Sequence, residues 1–374
     1  MLKNTLSAIH TNFQGKSIKR KIVVFQSDDW GTIRTPKSKP VRDFIQKNRF
    51  DANPFLNFDT LETESDLNCL FEVLSQSCDY IGNNPIFTTN HVVGNPDFKR
   101  IESANFEEYF FESTLDTYRS LNSTNQMDSF WRQGISNKLI SPEFHSREHV
   151  DFILWLTQLK KGNLKVKEAF DLGFWGIPLD ANIFKNQNLM ATYDSFNQSN
   201  KQDYLNSISE GIAMFNAQFG KFPTSFIPNN YIFPLSLIEE LASFNIDSMQ
   251  GMKYIYLPKE GKNIPREQKR RINGQQEIPN SRIISLVRNV QFEPTLFNNK
   301  LKTLNLCLNQ IKWAFLFGKP AIIDTHRLNY VSGLSEVNRD ENLKLLKQLI
   351  NEIIKKWPEV EFESTENLSK LYKV

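Results

Sequence analysis

The chain has 374 residues, with 45 Lys and Arg against 42 Asp and Glu, which leaves a formal net charge of +3. This balance gives no support for nucleic-acid binding through phosphate neutralisation, and 40% hydrophobic residues exclude a disordered chain. The three cysteines, Cys69, Cys78 and Cys307, lack the spacing of a disulfide framework or a metal knuckle. With no secretory h-region and no apolar run of roughly 18 residues, we expect a cytoplasmic protein without a membrane span.

Predicted strands and helices alternate along the chain. The strands cover about 22–25, 86–93, 224–229, 282–287, 320–326 and 360–364, and the helices about 105–121, 145–159, 201–219, 235–244, 302–317 and 341–356. This alternation predicts an α/β fold with a parallel sheet or barrel. No linker divides the chain, so we expect one domain over residues 1–374, with an insertion at about 43–84.

A basic segment punctuated by Gly and Pro covers about residues 253–282. One interpretation is a solvated surface loop. The other is a basic flap over an acidic saccharide or a nucleotide-linked substrate.

Two of the five histidines stand four residues apart in the segment HSREH, as His145 and His149. The preceding Ser141-Pro142 predicts a helix start, and on a helix these imidazoles would share one face. Two imidazoles one turn apart can bind a single metal ion.

Polar side chains end two predicted strands. Asp28 and Asp29 follow the first strand, and His326 ends a late one. The carboxyl ends of parallel strands share one face, where sites gather. Two histidines and a carboxylate form a ligand set for Zn²⁺, a second carboxylate can deprotonate water, and a histidine across the site can protonate a leaving group. These residues together indicate metal-assisted hydrolysis.

Four motifs in this chain order resemble those of the polysaccharide deacetylases of carbohydrate esterase family 4. They are SDDWG around Asp28 and Asp29, HSREH, FIPNNY at residues 226–231, and IDTH ending at His326. The resemblance covers roughly residues 20 to 330 in separate islands. It implies a distorted (β/α) barrel with fewer than eight repeats.

The resemblance also implies roles for single residues. Asp28 is the catalytic base, and His326 is the general acid. Asp29, with the two histidines of HSREH, holds one divalent metal ion, foremost Zn²⁺, with Co²⁺, Ni²⁺ or Mn²⁺ as alternatives. A backbone N–H near Asn230 or Tyr231 stabilises the oxyanion. The implied substrate is an acetylated saccharide, N- or O-linked, in a polysaccharide or its precursor.

The chain departs from the family's pattern in one motif. Ile227 stands where the family has the arginine that holds the catalytic aspartate. Arg34, Arg147, Arg288 and Arg327 are the candidates to replace it. The family's DxxDW motif has no counterpart that we can place.

Four further residues are candidates for the substrate cleft. Trp30 can stack on a sugar ring, and His91 follows a predicted strand. Arg288 and Arg327 follow strands on the same expected face and can grip the substrate.

Two other functions stay open at this point. HSREH also fits the H-x-x-E-H pattern of inverted zincin peptidases, with Glu148 as base and a distal ligand such as Glu168 or Glu210. Alternatively, the chain is a non-catalytic saccharide-binding protein on the same scaffold. The sequence does not indicate an oligomeric state.

Overall fold

A computed structural model describes residues 2–121, 126–178, 187–259, 266–297 and 299–373. Its strands are β1 Lys21–Trp30, β2 Phe87–His91, β3 Gly94–Pro96, β4 Phe111–Ser113, β5 Ile140–Phe144, β6 Ser225–Phe226, β7 Ser248–Gly251, β8 Tyr254–Tyr256, β9 Gln268–Arg270, β10 Ile284–Val287, β11 Val290–Gln291, β12 Ala321–His326 and β13 Val360–Phe362. Its helices are α1 Leu2–Asn12, α2 Lys39–Lys47, α3 Pro54–Phe58, α4 Glu64–Ser75, α5 Phe98–Ser103, α6 Thr114–Leu121, α7 Met127–Ser136, α8 Phe152–Lys160, α9 Leu164–Asp171, α10 Lys201–Phe219, α11 Ile238–Ser243, α12 Lys300–Leu316, α13 Glu336–Lys356 and α14 Thr365–Lys373.

The main sheet of the described chain has nine parallel strands. Their order is β10-β7-β6-β5-β2-β1-β12-β11, and β13 also pairs with β1. The first strand carries an apolar run, Ile22 to Phe25, whose side chains are all buried, as expected for a parallel strand covered on both faces. Asp28 in β1 is the register partner of His326 in β12, which places the two predicted catalytic residues side by side.

The sheet is curled into a distorted barrel, which confirms the predicted fold class. The two edge strands, β10 and β11, are joined by only Arg288 and Asn289, so their ends lie within about 11 Å of each other. The Arg288 N–H donates to the carbonyl of Gly251 in β7 at 2.8 Å, and the Asn289 N–H donates to Ile322 in β12 at 3.2 Å. We call this junction, residues 288–289, the seam of the barrel.

The segment 43–84, predicted as an insertion, contains a helix that packs into the core. Leu67, Leu70 and Leu74 of α4 are fully buried in the same apolar cluster as Leu346 and Ile350 of α13. The segment therefore connects β1 to β2 and covers the outside of the sheet.

The helix predicted over about 145–159 is wrong in its first half, which carries both histidines of HSREH. Residues 140–144 form the central strand β5, a loop follows, and α8 begins only at Phe152. Its N-cap is Asp151, whose carboxylate accepts from the Leu154 N–H at 3.0 Å. The Ser141-Pro142 pair, which predicts a helix start, lies instead inside β5, with Pro142 opposite Thr89. The predicted helix over 105–121 is likewise shorter, because β4 precedes α6.

The basic segment 253–282 forms the antiparallel hairpin β8–β9, and its residues 260–265 lie outside the described residues. Two of its arginines have carboxylate partners: Arg271 binds Glu277 within the segment, and Arg266 binds Asp194 outside it at 2.6 Å. In the described part of the chain, no helix has the length and apolar character that crossing a bilayer requires.

Candidate active site

The site begins where β1 ends at two buried carboxylates. The register between β1 and β2 shifts between Ser27 and Trp30, and Asp29 within this irregularity has a positive φ of 75°. A non-glycine residue in that conformation is uncommon, and irregularities of this kind re-aim side chains. Asp28 and Asp29 consequently serve two different groups of partners.

Asp29 faces both histidines of HSREH. Its Oδ1 lies 3.3 Å from Nε2 of His145 and 3.0 Å from Nε2 of His149. Ligand atoms about 2.0–2.1 Å from a tetrahedral Zn²⁺ lie about 3.3 Å apart, so these separations fit a common ion. The three side chains are buried, and each offers one ligand atom to this group.

The protonation of the group also suits a metal. The Nδ1–H of His145 donates to the Ile227 carbonyl at 2.8 Å, which leaves the Nε2 lone pair directed at Asp29. Burial lowers the pKa of His149 to about 4, so its imidazole is neutral. Burial alone would raise the pKa of Asp29, but Arg34 and the histidines hold it well below its ordinary value.

The imidazoles converge through a loop and not, as predicted, through one helix face. Ser146 between them has a φ of 77°, and the His145 N–H donates to the carbonyl of His91 at 2.8 Å. The loop thus extends the β5 pairing and turns sharply, which brings His149 back toward Asp29.

Asp28 is bound by Arg288 from the seam. The guanidinium donates from Nη2 to Oδ1 at 2.6 Å and from Nη1 to Oδ2 at 2.7 Å. Burial would raise the pKa of Asp28, but Arg288 outweighs it and holds that pKa below its ordinary value. Of the four candidate arginines, Arg288 is the one that binds Asp28.

Asp28, Asp324 and His326 form a second group with metal-type donors. Arg288 Nη1 donates to Asp324 at 2.5 Å as well as to Asp28, so its guanidinium occupies the space between the two carboxylates. In this second group the Arg288 guanidinium therefore stands where a metal ion would have to bind.

His326 is paired with a carboxylate that the sequence did not reveal. Its Nδ1 lies 2.5 Å from Oε1 of Glu293, and its Nε2 lies 3.8 Å from Oδ2 of Asp28. Burial opposes the imidazolium, but Glu293 with Asp324 and Asp28 raises the pKa of His326 to about 10. Glu293 follows the two-residue strand β11, which is too short to recognise in the sequence.

A cleft of about 400 Å³ connects these groups. Tyr231 and Asn230 line it, both with positive φ, 58° and 53°. The Tyr231 N–H is already donated to the Pro228 carbonyl at 3.0 Å, so the Asn230 N–H is the better candidate of the two for an oxyanion donor. The other lining residues are Asp28, Asp29, Arg34, Asn53, Phe55, His145, His149, Met190, Pro228, Met252, Gln291, Asp324 and His326.

Two predicted cleft residues do not reach this cleft. The ring of His91 lies 4.5 Å from that of Trp131 and 4.6 Å from that of Phe219, on the helix-covered side of the sheet. The Trp30 ring packs on the same side, 5.6 Å from Trp131. Trp30 faces away from Asp28, two residues earlier, because the irregularity at Asp29 interrupts the alternation of side chains along β1.

Arg327 is also not a substrate contact, because it is fully buried in an ionic network behind the metal ligands. It binds Asp59 at 2.8 Å and Glu62 at 2.7 Å. Asp59 also binds Arg34 at 2.7 Å, and Arg34 binds Asp29 at 2.7 Å. The network thus runs from Arg327 to the predicted metal ligand.

Glu148 points away from the cleft. Its carboxylate binds the Arg147 guanidinium and accepts from the Ser207 hydroxyl of α10 at 2.7 Å. The peptidase interpretation therefore lacks its base at the metal ligands.

No protein-family model matches the chain, and no curated protein does. Among solved structures, a protein described as a polysaccharide deacetylase of Mycobacterium smegmatis is 10% identical with a TM-score of 0.41, covering 95% of this chain and 90% of its own. Another so described, from Pseudomonas aeruginosa PAO1, is 8% identical with a TM-score of 0.45, covering 94% and 91%. A GH57 branching enzyme of Thermococcus kodakaraensis is 10% identical with a TM-score of 0.45, covering 95% and 72%. These likenesses are too distant to carry an argument about activity.

Proposed function

We propose that the protein is a metal-dependent hydrolase that removes an N- or O-linked acetyl group from a saccharide, in a polysaccharide or its precursor. One observation carries the proposal. Three converging ligand atoms, on Asp29, His145 and His149, share one cleft with an ionised carboxylate, Asp28, and a protonated imidazole, His326. That combination is what hydrolysis of an acyl bond requires.

The donor set suits one divalent cation, foremost Zn²⁺, with Co²⁺, Ni²⁺ or Mn²⁺ as alternatives. Such an ion, when bound, supplies a Lewis acid that polarises the scissile carbonyl and acidifies water. Asp29 contributes the charge, and His145 and His149 contribute neutral nitrogens. Arg34 holds the other oxygen of Asp29 at 2.7 Å and so fixes which oxygen faces the histidines.

The remaining residues move protons and stabilise charge. Asp28, kept ionised by Arg288, accepts the proton of the attacking water. The Asn230 N–H donates to the developing oxyanion. His326, kept protonated by Glu293, donates its Nε2 proton to the departing amine or hydroxyl.

The position of Arg288 bears on the non-catalytic alternative. That alternative rested on Ile227, because loss of the motif arginine would leave the base without its partner. With Arg288 bonded to both oxygens of Asp28, the base has a partner of the required charge. We therefore propose an enzyme.

The decisive experiment measures metal content and acetate release from acetylated saccharides in the same preparations. We expect Asp29→Ala to lose the metal and the activity. We expect Asp28→Asn to keep the metal and lose acetate release, and Glu148→Gln, the peptidase control, to keep acetate release. Acetate release that survives Asp28→Asn contradicts the proposed base. Glycan binding without turnover in the metal-loaded wild type would identify a binding protein.

A further inference from the structure

A second groove opens from the catalytic cleft at the seam of the barrel. Its volume is about 360 Å³, and it shares two lining residues, Met252 and Gln291, with the catalytic cleft. One wall is α1, through Ser7 and Thr11. The two spaces thus adjoin at Met252 and Gln291, and we call the second one the seam groove.

The lining of the seam groove mixes apolar and polar side chains and carries no carboxylate among the described residues. Besides the two shared residues it presents the side chains of Gln310, Asn289 and Lys253. The other cation there, Arg288, is neutralised by Asp28 and Asp324. The charge available to a ligand is thus that of Lys253.

Lys253 and its neighbour Arg270 have no acidic partner within the described chain. Lys253 Nζ contacts only the Ser7 hydroxyl, at 3.4 Å, and the Tyr254 ring, at 6.0 Å. Arg270, which pairs with Tyr254 across the β8–β9 hairpin, contacts the ring of His10 and donates to the His10 carbonyl at 2.9 Å. Its Nε is buried without a hydrogen-bond partner.

Two arginines of the same basic segment, in contrast, have carboxylate partners. Arg271, next to Arg270, binds Glu277, and Arg266 binds Asp194. Lys259, Lys269 and Arg282 also lack a carboxylate partner in the described chain, but Lys253 and Arg270 are the two that contact α1, at Ser7 and His10. The charge of Arg270, together with burial and the charge of Lys253, lowers the pKa of His10.

We infer that the seam groove is a subsite for an anionic group of the substrate, a phosphate or a carboxylate, that reaches past Met252 and Gln291 and is held by Lys253. Arg270 lies outside the lining of the groove, against α1, and adds positive charge beside it. The inference rests on the proposed function for the reacting group and adds the substrate class: an acetylated saccharide that carries a negative charge beyond the acetyl group that reacts. A phosphate or carboxylate supplies the acceptors that an ammonium and a guanidinium lack here. The polar side chains of the groove, such as Gln310 and Thr11, suit a sugar hydroxyl on the way.

The test compares affinities and needs no turnover. Calorimetry on the metal-loaded protein measures the Kd of N-acetylglucosamine, of its 1-phosphate and of N-acetylglucosaminuronate. We expect at least one anionic probe to bind about tenfold more tightly than the neutral sugar. The double variant Lys253→Gln/Arg270→Gln should reduce this ratio to about one. Lys161→Gln, an exposed lysine beyond α8, is the matched control and should leave it unchanged.

Each result decides one point. A preference for the phosphate or for the carboxylate identifies the source of the charge, and either supports the subsite. Equal affinity for all three probes overturns it, as does an anion preference that survives the double variant, because the anion then binds at the metal. Acetate release from the wild type reports separately on the proposed function, so failure of one proposal does not imply failure of the other.

Discussion

Arg288 binds both carboxylate oxygens of Asp28, at 2.6 and 2.7 Å, across 260 positions of sequence. Asp28 is buried next to a predicted metal ligand. Without such a partner it would take up a proton, because burial disfavours its charge. The guanidinium instead keeps Asp28 available as a base.

Replacing Arg288 should therefore disable the base. In Arg288→Gln the pKa of Asp28 rises, since burial is no longer opposed. The base works only when deprotonated, so the acid limb of the pH–rate profile moves to higher pH, and acetate release at neutral pH falls by roughly 10²-fold. Arg288→Lys should fall between this variant and the wild type. Unchanged metal content is the control, and an unmoved acid limb contradicts the assignment.

Glu293 should control the alkaline limb. With Glu293 in place the pKa of His326 is about 10, and a general acid is active below its pKa. In Glu293→Gln the negative charge is gone, the pKa of His326 falls, and activity declines at lower pH than in the wild type. The measurement is acetate release between pH 6 and about 10. Identical alkaline limbs in both proteins would show that His326 is not the acid.

Asp59 should contribute far more to the free energy of unfolding than a surface carboxylate does. It binds Arg34 and Arg327, and all three side chains are almost completely buried. Asp59→Asn leaves two buried cations undercompensated, which costs about 3–5 kcal/mol of unfolding free energy. The matched control, Asp128→Asn, breaks an exposed pair with Arg132 and should cost less than about 1 kcal/mol. Urea unfolding checks both, and equal costs would contradict the structural role of the network.

His91 should affect acid stability without affecting catalysis. Burial lowers its pKa well below the ordinary 6.5, so folding is favoured by its neutral form. Its contribution to stability is complete above about pH 6.5 and is lost as the pH falls, by up to about 1.4 kcal/mol per unit. His91→Phe should remove this dependence while acetate release at pH 8 persists. Loss of acetate release in a folded His91→Phe protein would show that His91 acts in the cleft.

The residues of the site that lie at the ends of parallel strands could be predicted from the sequence. Asp28, Asp29 and His326 were found because parallel strands end on one face, and that needs only the local β-pattern of each strand. The barrel followed from the alternation of elements. The predicted end of the helix over 201–219 was also correct, since Gly220 caps α10 with a φ of 68°.

The local pattern failed where tertiary contacts decide. HSREH was read as helical because four residues is a helical spacing, whereas the two rings meet through a loop turned at Ser146. Arg288 was one of four candidate arginines, and only the pairing of distant strands selects it. Glu293 and the pairing of Arg34 with Asp59 depend on the same long-range geometry, which no spacing in the sequence records.

The seam has a consequence for the order in which the protein matures. β1 precedes the other strands of the described chain, but two of its neighbours, β12 and β13, and the arginine that neutralises Asp28 come from its last quarter. Until that quarter emerges from the ribosome, the carboxylates at the end of β1 would have to be buried without their counter-charges, and long-range parallel pairing is slow. A nascent chain that stops before residue 284 should therefore stay open at β1. Synthesis of residues 284–362 would close the barrel and bring Arg288 to Asp28.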